Sequence, residues 1–223
     1  DLHSFPTRRS SDLHIAPVSA PVSEPQLALE PLRERVMGAL AALTDERLAR
    51  LPGVRQRPPT FPAYQAFERG LSSFLSQDYR GSVSDLKLAY ALDSTFIVPL
   101  LYAATAYWNE EQFDSAAALH QAVAARRTTL LHYEQLWTDY LGAMLTGHGI
   151  RAHDFVRQAA ELAPNSRMSY SLAVSALSID RPAEARQTLE RVDPDRGDLR
   201  GWSSYWTQDR KSTRLNSSHP YRS

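Results

Sequence analysis

A small residue returns through this chain at near-constant spacing: Ser82, Ala116, Ala152 and Ala185, at intervals of 34, 36 and 33 residues. Gly70 to Ala104 is a further step of 34, and so is aromatic Tyr79 to Phe113. Between these marks, apolar residues fall at three- and four-residue spacing, the period of a helix with one buried face. Two antiparallel helices approach closely only where their contact residues are small. A small residue that recurs with this period therefore predicts a series of paired helices, each pair stacked on the next. The repeat-packing positions are Gly70, Ser82, Ala104, Ala116, Ala152 and Ala185. Tyr79 and Phe113, at the turns, are expected to wedge one repeat against the next. The fold class is all-α, a helical-hairpin solenoid over 63–208. It has four repeats, and a truncated fifth starts at Trp202, Tyr205 and Trp206.

Upstream the pattern changes. Pro17, Pro21 and Pro25 forbid a continuous helix, so 14–30 reads as an extended linker. Residues 31–62 read as a helical pair and connector. The first helix buries a stripe of Leu32, Val36, Leu40 and Leu43, and Thr44 caps a short second helix over 45–51 that Pro52 and Gly53 end.

Composition removes several classes of function. Lys+Arg (25) equals Asp+Glu (25), which argues against nucleic-acid binding through this segment or a polybasic membrane surface. No apolar run approaches a membrane span. With no cysteine, disulfides, thiolate catalysis and cysteine-ligated metals are excluded. His148 and His153 are the closest histidine pair, but a five-residue step splits them around a helix. No serine lies in a nucleophile elbow, and the nine glycines form no phosphate-binding loop. Neither catalytic residues, a cofactor nor a metal is expected. The partner expected is a protein or peptide.

The paired-helix period resembles that of the tetratricopeptide repeat. The resemblance implies that the first helix of each pair lines a concave face. It places there Tyr64, Phe67 and Phe74 from the first unit and Trp108 from the second. Trp137 and Met144 come from the third, and Arg167 and Tyr170 from the fourth. Trp108 and Trp137 are the expected anchors. Either a peptide or helix docks on this aromatic face, or residues 31–51 cover it, the preferred reading for so large an apolar stripe. A lysine and asparagine clamp for a C-terminal carboxylate, known in the family, is disfavoured. Phe67, Leu71 and Thr105 stand at those places, and Glu134 has the wrong sign.

The stretch LEPLRERVMGALAALTDERLARLPGVRQRPPTFPAYQAFERGL resembles the end of a TolB-like domain running into such repeats. That arrangement implies a non-catalytic interaction or sensing module of a larger bacterial signalling or transcription regulator. The alternatives are a scaffold beside an upstream Ser/Thr kinase, or a freestanding envelope-assembly protein. Arginine strongly outnumbers lysine, as GC-rich bacterial codon usage would produce. Residues 3–13 (HSFPTRRSSDL) and 209–219 (DRKSTRLNSSH) resemble translated sequencing-adapter oligonucleotides. The expectation is that 1–13 and 209–223 are non-native tails on a fragment.

Overall fold

A computed structural model describes residues 13–200 together with Trp202. Apart from Leu13, both adapter-like tails lie outside the described residues, as do Tyr205 and Trp206. After a 3-10 turn at Pro25–Ala28, α1 spans Leu29–Thr44. Four helical hairpins follow: α2 (Phe61–Leu75) with α3 (Tyr79–Leu92), α4 (Val98–Asn109) with α5 (Phe113–Ala124), α6 (His132–Leu145) with α7 (Gly149–Leu162), and α8 (Arg167–Ser178) with α9 (Pro182–Glu190). Pro62, Pro99 and Pro182 sit in first turns, where a missing N–H costs nothing. Every helix packs on the next, and the first helices also touch along the array, α2 on α4 and α4 on α6. The described residues contain no strand, and the architecture is the expected all-α helical-hairpin solenoid.

The repeat is also written in the backbone. Each hairpin turn holds one left-handed residue, at Gln77, Glu111, Gly147 and Asp180. Each is closed by the same two hydrogen bonds of a Schellman motif. In the first turn Gln77 N–H donates to Phe74 O and Asp78 N–H to Ser73 O; in the last, Asp180 N–H donates to Leu177 O and Arg181 N–H to Ala176 O. Only one of the four is glycine. A left-handed non-glycine residue is strained by about 1–2 kcal/mol. Gln77→Gly is therefore expected to raise stability by about 0.5–1 kcal/mol after its own entropy cost, measured as a shift in the urea midpoint at unchanged m. A loss of stability would show that the Gln77 side chain outweighs the strain.

The small residues pack as the period requires. Ser82, Ala104, Ala116, Ala152 and Ala185 are all buried. A Cβ on Gly70 would stand 2.8 Å from Leu86 Cγ and 3.0 Å from the Leu86 backbone nitrogen, so α2 and α3 meet there nearly backbone to backbone. The wedge reading of Phe113 needs correction. Phe113 is 49% exposed and packs edge-on against Trp108 of its own hairpin, with ring centroids 5.0 Å apart. Tyr79 is half-buried against the core and meets Phe74 edge-on at 5.1 Å.

Three upstream and terminal expectations also change. In α1 the buried face is Gly38, Ala39 and Ala42, while Leu29, Leu32, Met37 and Leu40 face outward. The close approach of 59–61 to Gly38 admits only small side chains on the packing face. Residues 45–57 form successive turns instead of a second helix. There the Asp45 carboxylate accepts from Arg47 N–H, and Gly53 is left-handed. Thr44 is the last residue of α1, its hydroxyl donating back to Leu40 O. Among the described residues beyond α9 the one helical stretch is a 3-10 turn at Gly197–Leu199, and Trp202 lies outside any helix.

Candidate functional site

The first helices of the hairpins face one another across the inner side of the array, and six of their residues build its centre. Trp137 on α6 is fully buried, with Tyr102 of α4 edge-on at 5.0 Å and Tyr133 at 6.0 Å. Tyr102 also meets Phe67 at 5.7 Å and Phe74 at 5.2 Å on α2. Arg167, at the start of α8, threads its guanidinium into this group. Its central carbon lies 4.7 Å from the Phe74 ring centre, 5.3 Å from Tyr102 and 5.8 Å from Trp137. Such contacts replace water around the cation with aromatic faces.

The chain closes this face with two of its own segments. From the N-terminal side, 45–57 lays Leu48, Leu51 and Val54 over Phe96, Val98 and Leu131, leaving about 10 Å³ between them, room for one water at most. Arg57 pairs there with buried Glu134 of α6 at 2.9 Å. From the other side, 197–200 and Trp202 enter the groove. Asp198, 3% exposed, accepts from Arg167 N–H at 2.8 Å and from Tyr102 O–H at 3.1 Å. Leu199 is buried, and Trp202 stacks on Phe74 at 6.2 Å and meets Tyr170 at 5.3 Å. The two segments join where Arg200 pairs with Glu46 at 3.0 Å. Upstream of this strap Asn165 holds Asp193 at both backbone groups, donating to its carbonyl and accepting from its N–H.

Of the expected concave-face residues, Phe67, Phe74, Trp137, Arg167 and Tyr170 come together here. Tyr64 sits at the rim, its hydroxyl donating to Asp45 at 3.2 Å. Trp108 lies at the other end of α4 against Phe113, outside the aromatic cluster, and is not an anchor of this site. Met144, in the last turn of α6, is partly buried against the core. Cover by 31–51 holds only for its last part, Asp45 to Leu51, and is shared with the C-terminal strap. Glu134 is engaged by Arg57 and by Leu131 N–H. His148 lies on an exposed turn, and His153 is buried with Nε2 3.1 Å from Glu184.

Tyr102, Tyr133, Asp198 and Trp202 were not anticipated. For Tyr102 a signal existed: residues 98–106 are apolar or small almost throughout, the mark of a helix buried on every side. Asp198 carries none, and Trp202 reads in the sequence as the start of a fifth repeat, not as part of this site.

Burial pushes the Asp198 carboxyl up to about 6, against the pull of the Arg167 N–H, the Tyr102 hydroxyl and the Arg167 charge. Tyr102 is raised well above the ordinary phenol range by burial and by the Asp198 charge. Because the folded Asp198 value exceeds the model-peptide 3.8, its contribution to stability is fully present below about 3.8 and lost as pH rises through about 6. Asn at 198 cannot ionise, yet still offers a carbonyl oxygen to Arg167 N–H. Asp198→Asn is expected to gain on wild type by about 2–3 kcal/mol between pH 4 and pH 7.5, at about 1.4 kcal/mol per unit. Parallel urea melts at the two pH values check this. A difference that stays constant with pH would show that the carboxylate is held ionised by its partners.

No family model, curated protein or solved structure matches the chain.

Proposed function

We propose that this chain is a non-catalytic recognition module whose inner groove binds a peptide of a protein partner. One observation carries the reading: a short stretch of the chain, a 3-10 turn at Gly197–Leu199 followed by Arg200 and Trp202, already lies in the groove, with one carboxylate and one indole as its anchors. The groove's polar groups serve that contact. Tyr102 and Arg167 each spend a donor on Asp198, and no nucleophile is set beside a base there. The paired-helix period supports placing the array among tetratricopeptide-like proteins. The resemblance of the stretch from Leu29 to Leu71 to the junction after a TolB-like domain supports a place within a larger bacterial signalling or transcription regulator.

Selection of a phage-displayed random nonapeptide library on the immobilised full chain tests the reading. Enriched peptides are expected to slow amide exchange in α2, α4, α6 and α8. Protection confined to the outer helices α3, α5, α7 and α9 would overturn a groove site.

A further inference from the structure

We propose that residues 197–200 together with Trp202 are an internal ligand of the groove, and that the external partner is an acidic, aromatic peptide presenting a carboxylate followed four residues later by an aromatic ring. This rests on the reading of the groove as a peptide site and specifies its ligand.

Three observations define that chemistry. First, the anchors are separable from what lies between them. Asp198 and Leu199 are buried, whereas Arg200 turns outward to Glu46 at the rim, its side chain 64% exposed. Second, the anchors reach all four hairpins. Asp198 touches Tyr102 on α4 and Arg167 on α8 and acts on Tyr133 of α6 through its charge, while Trp202 stacks on Phe74 of α2 and meets Tyr170 of α8. Third, the internal segment leaves the site incompletely used. Arg167 is only 6% exposed, yet its Nε and Nη1 have no hydrogen-bond partner, and neither does the indole N–H of neighbouring Trp137. Buried donors without acceptors are costly, and those of a guanidinium most of all. A peptide that brings the same carboxylate and ring plus one further acceptor satisfies groups that the chain's own segment does not. That is the physical ground on which an outside ligand displaces a tethered one, despite the millimolar effective concentration that a short tether confers. The acceptor and the carboxylate make the partner acidic, and Arg167 is the charge that meets it.

The test uses a fluorescein-labelled, amidated peptide of residues 194–202, titrated by anisotropy against the full chain and two variants. Trp202→Ala removes the internal ring, and Arg200→Glu sets like charges at the rim while leaving every buried anchor in place. The peptide is expected to bind the Trp202→Ala chain at least tenfold more tightly than the parent, and the Arg200→Glu chain about threefold more tightly. A competitor peptide carrying Trp202→Ala is expected to lose at least tenfold. Far-ultraviolet circular dichroism confirms that each variant is folded; should Trp202→Ala unfold, the Arg200→Glu chain carries the comparison. Absence of peptide binding to a folded variant overturns the inference. If the same variant still enriches unrelated peptides from the phage library, the groove reading stands and only its ligand is wrong. If it enriches none, both fall.

Discussion

Trp137→Ala is expected to destabilise the protein by about 3–5 kcal/mol, the range for emptying a large aromatic site in a close-packed core, and to lower Tm by roughly 10 °C or more. The indole is fully buried and meets Tyr102 and Tyr133 edge-on, with the Arg167 guanidinium over its face. Its removal takes away packing area, two ring contacts and part of the environment that keeps a buried cation acceptable. These surroundings come from α4, α6 and α8, so no single side chain can swing in to fill the space. Thermal melts of Trp137→Ala and Trp137→Phe decide it, the latter expected to recover about half of the loss. A cost below about 1 kcal/mol for the alanine would mean that the inner face is not a packed core. A binding assay on Trp137→Ala alone says little, because the fold suffers before the ligand is met.

Gly38→Ala is the second large effect, and two terms of opposite sign compete in it. Alanine favours a helix interior over glycine by about 1 kcal/mol. Against that, the added methyl would stand 2.6 Å from the Thr60 carbonyl carbon and 2.7 Å from the Phe61 nitrogen, closer still to the Pro59 oxygen. All three are backbone atoms entering α2, so none can rotate away. Overpacking of this kind costs about 1–3 kcal/mol or more, and a rigid neighbour puts it at the upper end. The net expectation is a loss of about 2 kcal/mol together with faster amide exchange confined to α1, whose docking on α2 the methyl forces open. A stabilised Gly38→Ala protein would show that α1 rides free of the 59–61 segment.

These two residues also mark where sequence reasoning reached and where it stopped. The hairpins were legible because a small contact residue is a local demand repeated at a fixed step, and Gly70 and Ala116 meet it in plain view. The same demand governs α1, yet there the larger Leu32 and Leu40 drew the eye to the wrong face. The packing surface of a helix against backbone is its small side, Gly38, Ala39 and Ala42. Trp108 fell on the predicted stripe but lies one turn too near the hairpin tip, where Phe113 takes it. The strap was illegible for a different reason. Asp198 meets Tyr102 across 96 residues and Arg200 meets Glu46 across 154, and no local period encodes a partner so far away. The left-handed turn residues were equally silent, because Gln77, Glu111 and Asp180 stand where a glycine would have announced the geometry.

Stacked hairpins touch only their neighbours, so an open array behaves as a string whose end units melt independently of the middle. The bond between Arg200 and Glu46, with Trp202 seated on α2, ties the last turn of this string to the first and converts it into a ring. In a ring the end hairpin α8–α9 loses the freedom to fray, and its opening must also tear contacts made near the other terminus. The energy that sets local opening is then shared around the molecule instead of falling toward its ends. Cooperativity among the described hairpins is then expected to depend on this closure, so that lifting the strap turns one melting unit into several.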